Sequence, residues 1–256
     1  MLRKKFAEKK NHDKDSIAWR GHEVTRIEAF SDAVFAFALT LLIVALEVPH
    51  DYNALMECMT FFVPFAICFT MLFTIWYAQN MFFRRFGLHD FSTLILNGIM
   101  LFLVLFFVYP LKFLFSAMFS EHFHITSTEQ LANLFYIYSG AVACIYILLG
   151  LMYYNAIRKK ESLELTSLET FEAKSHMLSY LLIALVAIFS MLLAFLGKGF
   201  INFAGIVYFL IGPIVTILYS VRGKKKKILL KAMAEPEQLN DNGGETEINK
   251  VQDDTL

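Results

Sequence analysis

An all-α membrane protein with six transmembrane helices and both termini on the cytoplasmic side is the fold class this sequence predicts, on three observations. First, 57% of the 256 residues are hydrophobic and only 18% are charged, where soluble domains carry about 25% charged residues. Second, the apolar residues come in six long blocks that do not alternate with polar ones as barrel strands would. Third, the 23 Lys and Arg are sorted: all but Lys112 and Lys198 fall in the leader, the tail and every second connection. A soluble α/β enzyme, a nucleic-acid-binding domain and a secreted disulfide scaffold are excluded. The cysteines, Cys58, Cys68 and Cys144, lie in or beside apolar blocks without CxxC spacing and read as buried thiols.

About 20 apolar residues cross roughly 30 Å of hydrocarbon, and six stretches meet that length: Ala29–Val48, Met59–Asn80, Phe91–Phe115, Leu131–Asn155, His176–Leu196 and Phe200–Ser220. The chain therefore divides into a basic leader (1–28), a six-helix membrane domain (29–221) and a tail (222–256) that is basic and then acidic. The first span is not a cleaved signal peptide: a long charged leader precedes it and no small-residue cleavage site closes it. Gly197-Lys198-Gly199 suits a tight hairpin between the last two spans, and Pro213 is expected to kink the sixth. After Lys231 the tail is acidic, with almost no large apolar residue, and is expected to be disordered and solvated. The Lys224–Lys227 run reads as a topology anchor, or as a contact with anionic lipid.

Orientation follows from the basic residues, which stay on the cytoplasmic side. The leader, Arg84 and Arg85, the group Arg158, Lys159, Lys160 and Lys174, and the tail all fall on one side. An even number of crossings with both ends inside is the expectation.

Polar residues within the spans are few, and such residues mark function by default. Ser31 and Asp32, near the start of the first span, read either as helix caps or as partners for other helices. Asp32 and Arg26 are six residues apart, about 240° around one helix, so they do not pair with each other. Trp76, Asn80, Arg84, His89, Asp90 and Asn97 are the partners within reach on the neighbouring spans. Ala29, Ala33, Ala36 and Ala38 permit close helix approach. Phe37, Thr40 and Val44 share one face at i, i+3, i+7. From spacing alone, Thr40 either bonds back to its own helix or lines a conduit. Asn202 and Thr216 read as interhelical hydrogen bonders, and His122 and His124 lack a third metal ligand nearby. No Thr-Val-Gly-Tyr-Gly filter, Arg ladder, P-loop, HExxH motif or inverted repeat is present, nor a nucleophile–base constellation of an enzyme.

Arg26-x-x-x-Phe30-Ser31-Asp32 at the head of the first span, followed by an Ala-rich run to Thr40, resembles the transmembrane-protein-175 family of potassium channels, in its six-helix prokaryotic form. Trp76, Phe83-Arg84-Arg85, Asp90 and Asn97 fall where that family repeats an aromatic, basic, acidic and Asn pattern. Two departures stand out: Gln79 and Asn80 where the family commonly has His, and Tyr109-Pro110-Leu111-Lys112 where it often has Pro-Phe-Pro-Thr. The resemblance implies a homotetramer in the cell membrane, with the first helices lining a central pore that prefers potassium to sodium. It implies a constriction at Phe37, Thr40 and Val44, and a structural network of Arg26, Phe30, Ser31, Asp32, Trp76, Asn80 and Asn97. It implies no enzymatic activity and no cofactor beyond the permeant ion. The partners it implies are further copies of the chain, potassium and membrane lipid, with no nucleic acid. The physical logic agrees. Six apolar helices with hardly any buried charge hold no conduit of their own, whereas a symmetric assembly makes one on its axis. The alternative is a secondary transporter or proton pathway using Asp32, although the broken helices of such proteins have no counterpart in the sequence.

Overall fold

The computed structural model describes residues 19–21, 23–44, 50–60, 62–119, 127–197 and 199–226. All regular structure among them is helical. The helices are α1 (Arg26–Val44), α2 (Tyr52–Thr60), α3 (Phe62–Phe86), α4 (Phe91–Phe119), α5 (Thr128–Arg158), α6 (Ser167–Phe195) and α7 (Ile201–Ile206). A 3-10 turn at Val207–Leu210 then leads into α8, residues 211–226. Five helices are long and apolar enough to cross a membrane, and the segment Phe203–Lys226 is the least buried of them. Most of the leader and the tail beyond 226 lie outside the described residues. So do His122, His124 and Lys198, and the side chains of Val44, Cys58, Lys112 and Asn202.

The first, third, fourth and fifth expected spans each meet one helix, although α1 is not among the five of membrane length. Met59–Asn80 straddles the end of α2 and most of α3, and Phe200–Ser220 is divided among α7, the 3-10 turn and α8. The helices run past the apolar blocks where a cap fixes the start. The capping position of α1 is Thr25: its Oγ1 accepts the Glu28 N–H at 3.4 Å and donates to Glu28 Oε1 at 2.9 Å. At α6 the reach is greater. Thr166 and Glu169 form a reciprocal capping box, so the helix starts at Ser167, nine residues before the apolar block. The connection from α5 is accordingly a short turn over 159–166. The effect expected of Pro213 falls one turn earlier, as the 3-10 stretch, because proline crowds the carbonyl four residues back. Pro110 lies inside α4. Its carbonyl accepts the Tyr138 hydroxyl, and the Leu111 carbonyl accepts the Cys68 thiol at 3.8 Å, so two neighbouring helices bond to backbone at this proline.

The tightest helix pair is α5 with α6, and α4 packs on α5 from the other side. Between them and α3 lies an aromatic core in which Phe82, Phe83 and Tyr153 are fully buried. The Phe82 and Phe86 rings meet Tyr153 edge-on at 5.3 and 5.5 Å. A second knot is polar. Ser139 donates to Ser190 at 3.2 Å, Ser190 to the Ala204 carbonyl at 2.8 Å, and Tyr208 to Ser139 at 2.9 Å. It joins α5, α6, α7 and the 3-10 turn without a charge. Cys68 is buried as expected, but Cys144 is exposed on the outer face of α5. A thiol tolerates lipid as well as it tolerates a core.

At the basic end the chain is strapped down before α1 begins. Arg20 grips Glu169 with both nitrogens at 2.8 and 3.0 Å, and the Trp19 ring lies 4.8 Å from the Arg84 guanidinium. Gly21 donates to the Arg84 carbonyl at 3.1 Å. A Cβ there would stand 2.9 Å from the Phe83 carbonyl, so only glycine allows this approach.

Candidate functional site on the first helix

The two sides of α1 divide cleanly. Glu28, Ser31, Phe35, Ala38 and Leu42 are buried against α3 and α4, at the three- and four-residue steps of one helical stripe. The opposite stripe, Arg26, Phe30, Ala33, Phe37 and Thr40, is exposed. Phe30 is 63% and Phe37 57% exposed, and Ala29 and Ala36 flank them.

The buried stripe is held by two short hydrogen-bonded connections. Trp76 donates its indole N–H to Asp32 Oδ1 at 2.7 Å, joining α3 to α1. Beside it, Gln79 donates to Asn97 Oδ1 at 2.7 Å, Asn97 donates to Ser31 Oγ at 3.0 Å, and Ser31 donates to the Ile27 carbonyl at 2.8 Å. Gln79, Asn97 and Ser31 are all buried, and each satisfies the next, so the row costs little to keep in an apolar place. Ser31 and Asp32 are therefore interhelical partners and not caps; the cap belongs to Thr25.

Of the residues named from the sequence, the structure brings Ser31, Asp32, Trp76 and Asn97 together. Asn80 has no hydrogen bond among the described residues, and Gln79, one position earlier, supplies the amide instead. One residue is 100° of rotation, enough to turn a side chain from the α1–α4 seam. Arg26 has no ion-pair or hydrogen-bond partner among the described residues, and Phe30 packs on the open side. Sequence reasoning misses Gln79 and Thr25 as partners, whereas His89 is among the partners it names. His89 Nε2 lies 3.1 Å from Thr25 Oγ1 and 3.6 Å from Glu28 Oε1, which ties the α3–α4 turn to the head of α1.

That turn is fixed by Gly87 at φ +57° and by Asp90. The Asp90 carboxylate takes Lys159 at 2.9 Å, the Thr93 hydroxyl at 2.7 Å and both contacts of Asn155 at 3.3 Å. Burial works against its ionisation, but the hydrogen bonds from Lys159, Thr93 and Asn155 and the Lys159 charge win and hold its pKa well below the usual carboxylate range. Among the described residues no group of three or more His, Cys, Asp and Glu is placed to hold a metal.

On the exposed stripe, Thr40 Oγ1 donates to the Ala36 carbonyl at 2.9 Å. The back-bond uses the hydroxyl hydrogen and leaves the oxygen lone pairs free to accept.

Fold and site together define an all-helical membrane protein whose first helix is pinned on one side and bare on the other. A family model described as endosomal/lysosomal potassium channel TMEM175 matches residues 26–110, the segment that holds this site. A potassium channel of Marivirga tractuosa is 36% identical over 234 residues, 84% of this chain and 94% of its own. The crystal structure of a variant of the potassium channel MtTMEM175, bound to a nanobody-MBP fusion protein, superposes with a TM-score of 0.74 at 34% identity. The match covers 82% of this chain and 97% of that one. A lysosomal potassium-selective channel TMEM175 homolog from Chamaesiphon minutus shares the fold, with a TM-score of 0.50 at 20% identity over 78% of this chain and 96% of that one. The chain belongs to the TMEM175 family.

Proposed function

We propose that the chain is a potassium-preferring cation channel of the cell membrane, working as a homotetramer with both termini cytoplasmic. Four copies of α1 line the pore, and Phe37, Thr40 and Val44 form its constriction. The observation that carries this reading is the bare stripe of α1. Thr40 and the large Phe37 side chain stay open in a single subunit, beside the small residues Ala29, Ala33 and Ala36, where close helix approach is cheapest. The names of the relatives point the same way. On a four-fold axis the Thr40 oxygens form a ring of ligands for a partly dehydrated cation, and the apolar layers above and below it gate by excluding water. The permeant ion needs no cofactor, and no catalytic role is assigned to any residue. Asp32 acts as an anchor for α1, because its carboxylate is engaged by the Trp76 indole.

The test is a reversal potential measured on purified protein in planar bilayers with potassium on one side and sodium on the other. A channel of this kind gives resolved current reversing toward the potassium equilibrium potential. Flux that requires a proton gradient and shows no channel current would overturn the reading in favour of transport through Asp32.

A further inference from the structure

We infer that a cavity at the basic end of the bundle, between the last turns of α3 and α8 and the α6 segment from Phe171 to His176, binds a phosphate group. The cavity holds about 250 Å³ and carries Arg85, Arg222 and Lys226 on its walls, with Glu172 as its one carboxylate. Glu172 is shared between Arg85, at 3.3 Å, and Lys226. Arg222 has no carboxylate partner among the described residues. It donates to Ser175 Oγ at 2.7 Å, and its guanidinium lies 5.2 Å from the Phe171 ring. Three cations thus face one anion, and like charges drawn this close repel unless a further anion joins them.

One more observation points to an acceptor missing from the protein itself. Arg85, which lines the cavity, has a buried Nε without a hydrogen-bond partner among the described residues. A stranded donor of this kind is costly and calls for an acceptor. A tetrahedral phosphate offers several oxygens to cations arriving from different helices and suits the fork of an arginine. The volume is below the roughly 300–1,000 Å³ that encloses whole organic ligands, and suits a headgroup with its remainder outside.

The position favours a phospholipid. Tyr219, Arg222 and Lys226 occupy the last two turns of the membrane-length segment Phe203–Lys226, the depth at which aromatic and basic residues gather at a bilayer surface. A soluble phosphate ester presents the same chemistry to the same cations, so the experiment separates the two sources.

Thermal unfolding of the full-length protein in neutral detergent reads binding without reference to ion flow, so its outcome is independent of the proposed conduction. Dihexanoyl phosphatidylglycerol is expected to raise the melting temperature saturably by at least about 2 °C, and dihexanoyl phosphatidylcholine to do less. Lys226→Gln, on a partly exposed side chain, and Arg222→Gln should each abolish the rise. Lys225→Gln, in the same basic run but off the cavity, should keep it. An equal rise with inorganic phosphate alone supports the site and assigns it to a soluble ligand. Absence of any rise, or a rise that survives Lys226→Gln and Arg222→Gln, or one lost equally in Lys225→Gln, overturns the proposal.

Discussion

In the proposed tetramer, conduction turns on two side chains, Phe37 and Thr40. A phenyl ring from each of four chains would close the axis more fully than an aliphatic side chain. Passing a potassium ion through that ring without oxygen ligands would be prohibitive, so on this reading Phe37 either swings aside or marks a closed gate. Phe37→Ala is expected to raise unitary conductance with a modest loss of selectivity. Thr40→Val is nearly isosteric and removes the oxygen, so it should alter the potassium-to-sodium ratio more than it alters stability. Single-channel recording of both variants, beside their thermal unfolding, distinguishes this from a packing role. Packing alone would lower the melting temperature and leave the surviving currents unchanged. The same scale explains what the sequence could not reveal about Asn80 and Gln79. Both are amides at the same depth, and only the rotational phase of α3 against α1 and α4 decides which one reaches Asn97.

At the scale of elements, hydrophobic length located the long apolar helices but not α2, whose residues Tyr52–Thr60 read as a connection, nor the 3-10 turn that divides the last expected span. The starts were harder to read. Thr166 and Glu169 satisfy the first backbone donors of α6 nine residues ahead of its apolar block, and a polar first turn is indistinguishable from a loop when only hydropathy is weighed. The serine and tyrosine knot of α5, α6 and α7 was invisible for a related reason: Ser139, Ser190 and Tyr208 are far apart in sequence and meet only once the helices have packed. The α3–α4 turn offers a test in solution. Asp90 is held charged by Lys159, Thr93 and Asn155. A carboxylate with a depressed folded pKa contributes stability that is full above its unfolded pKa, about 3.9, and is lost as pH falls through the lower folded value. Asp90→Asn should therefore melt lower than the native protein by the same margin at pH 7 and pH 5. The margin should close only in stronger acid. A margin that does not change as the pH is lowered would show that Asp90 acts through shape and not charge.

For the molecule as a whole, the distribution of basic residues is the firmest guide, since it concerns the sum of many charges and no one contact. Single cysteines at Asp51 and Ser127 are expected to react with an impermeant thiol reagent added outside, and one at Ser162 to be protected until the membrane is opened. Labelling of Ser162 from outside would invert the topology. What the sequence could not convey is how unevenly the subunit is held. Helices α5 and α6 form its densest part, α1 is pinned along one stripe, and the segment Phe203–Lys226 lies largely on the surface. Those asymmetries come from contacts such as Trp76 with Asp32, Asn97 with Ser31 and Ser139 with Ser190, each joining different helices, and no local pattern encodes them.

The strap at Arg20 sets an order of events during synthesis. Its two hydrogen bonds go to Glu169, 149 residues further along the chain. At about 5–20 residues per second, the ribosome takes about 7–30 s to supply that carboxylate. Through this interval the base of the first helix has its charge but not its clasp. Until α6 emerges, α1 is held by α3 and α4 through Trp76 on Asp32 and Asn97 on Ser31, and a subunit stalled before that point lacks the ion pair that ties the leader to α6.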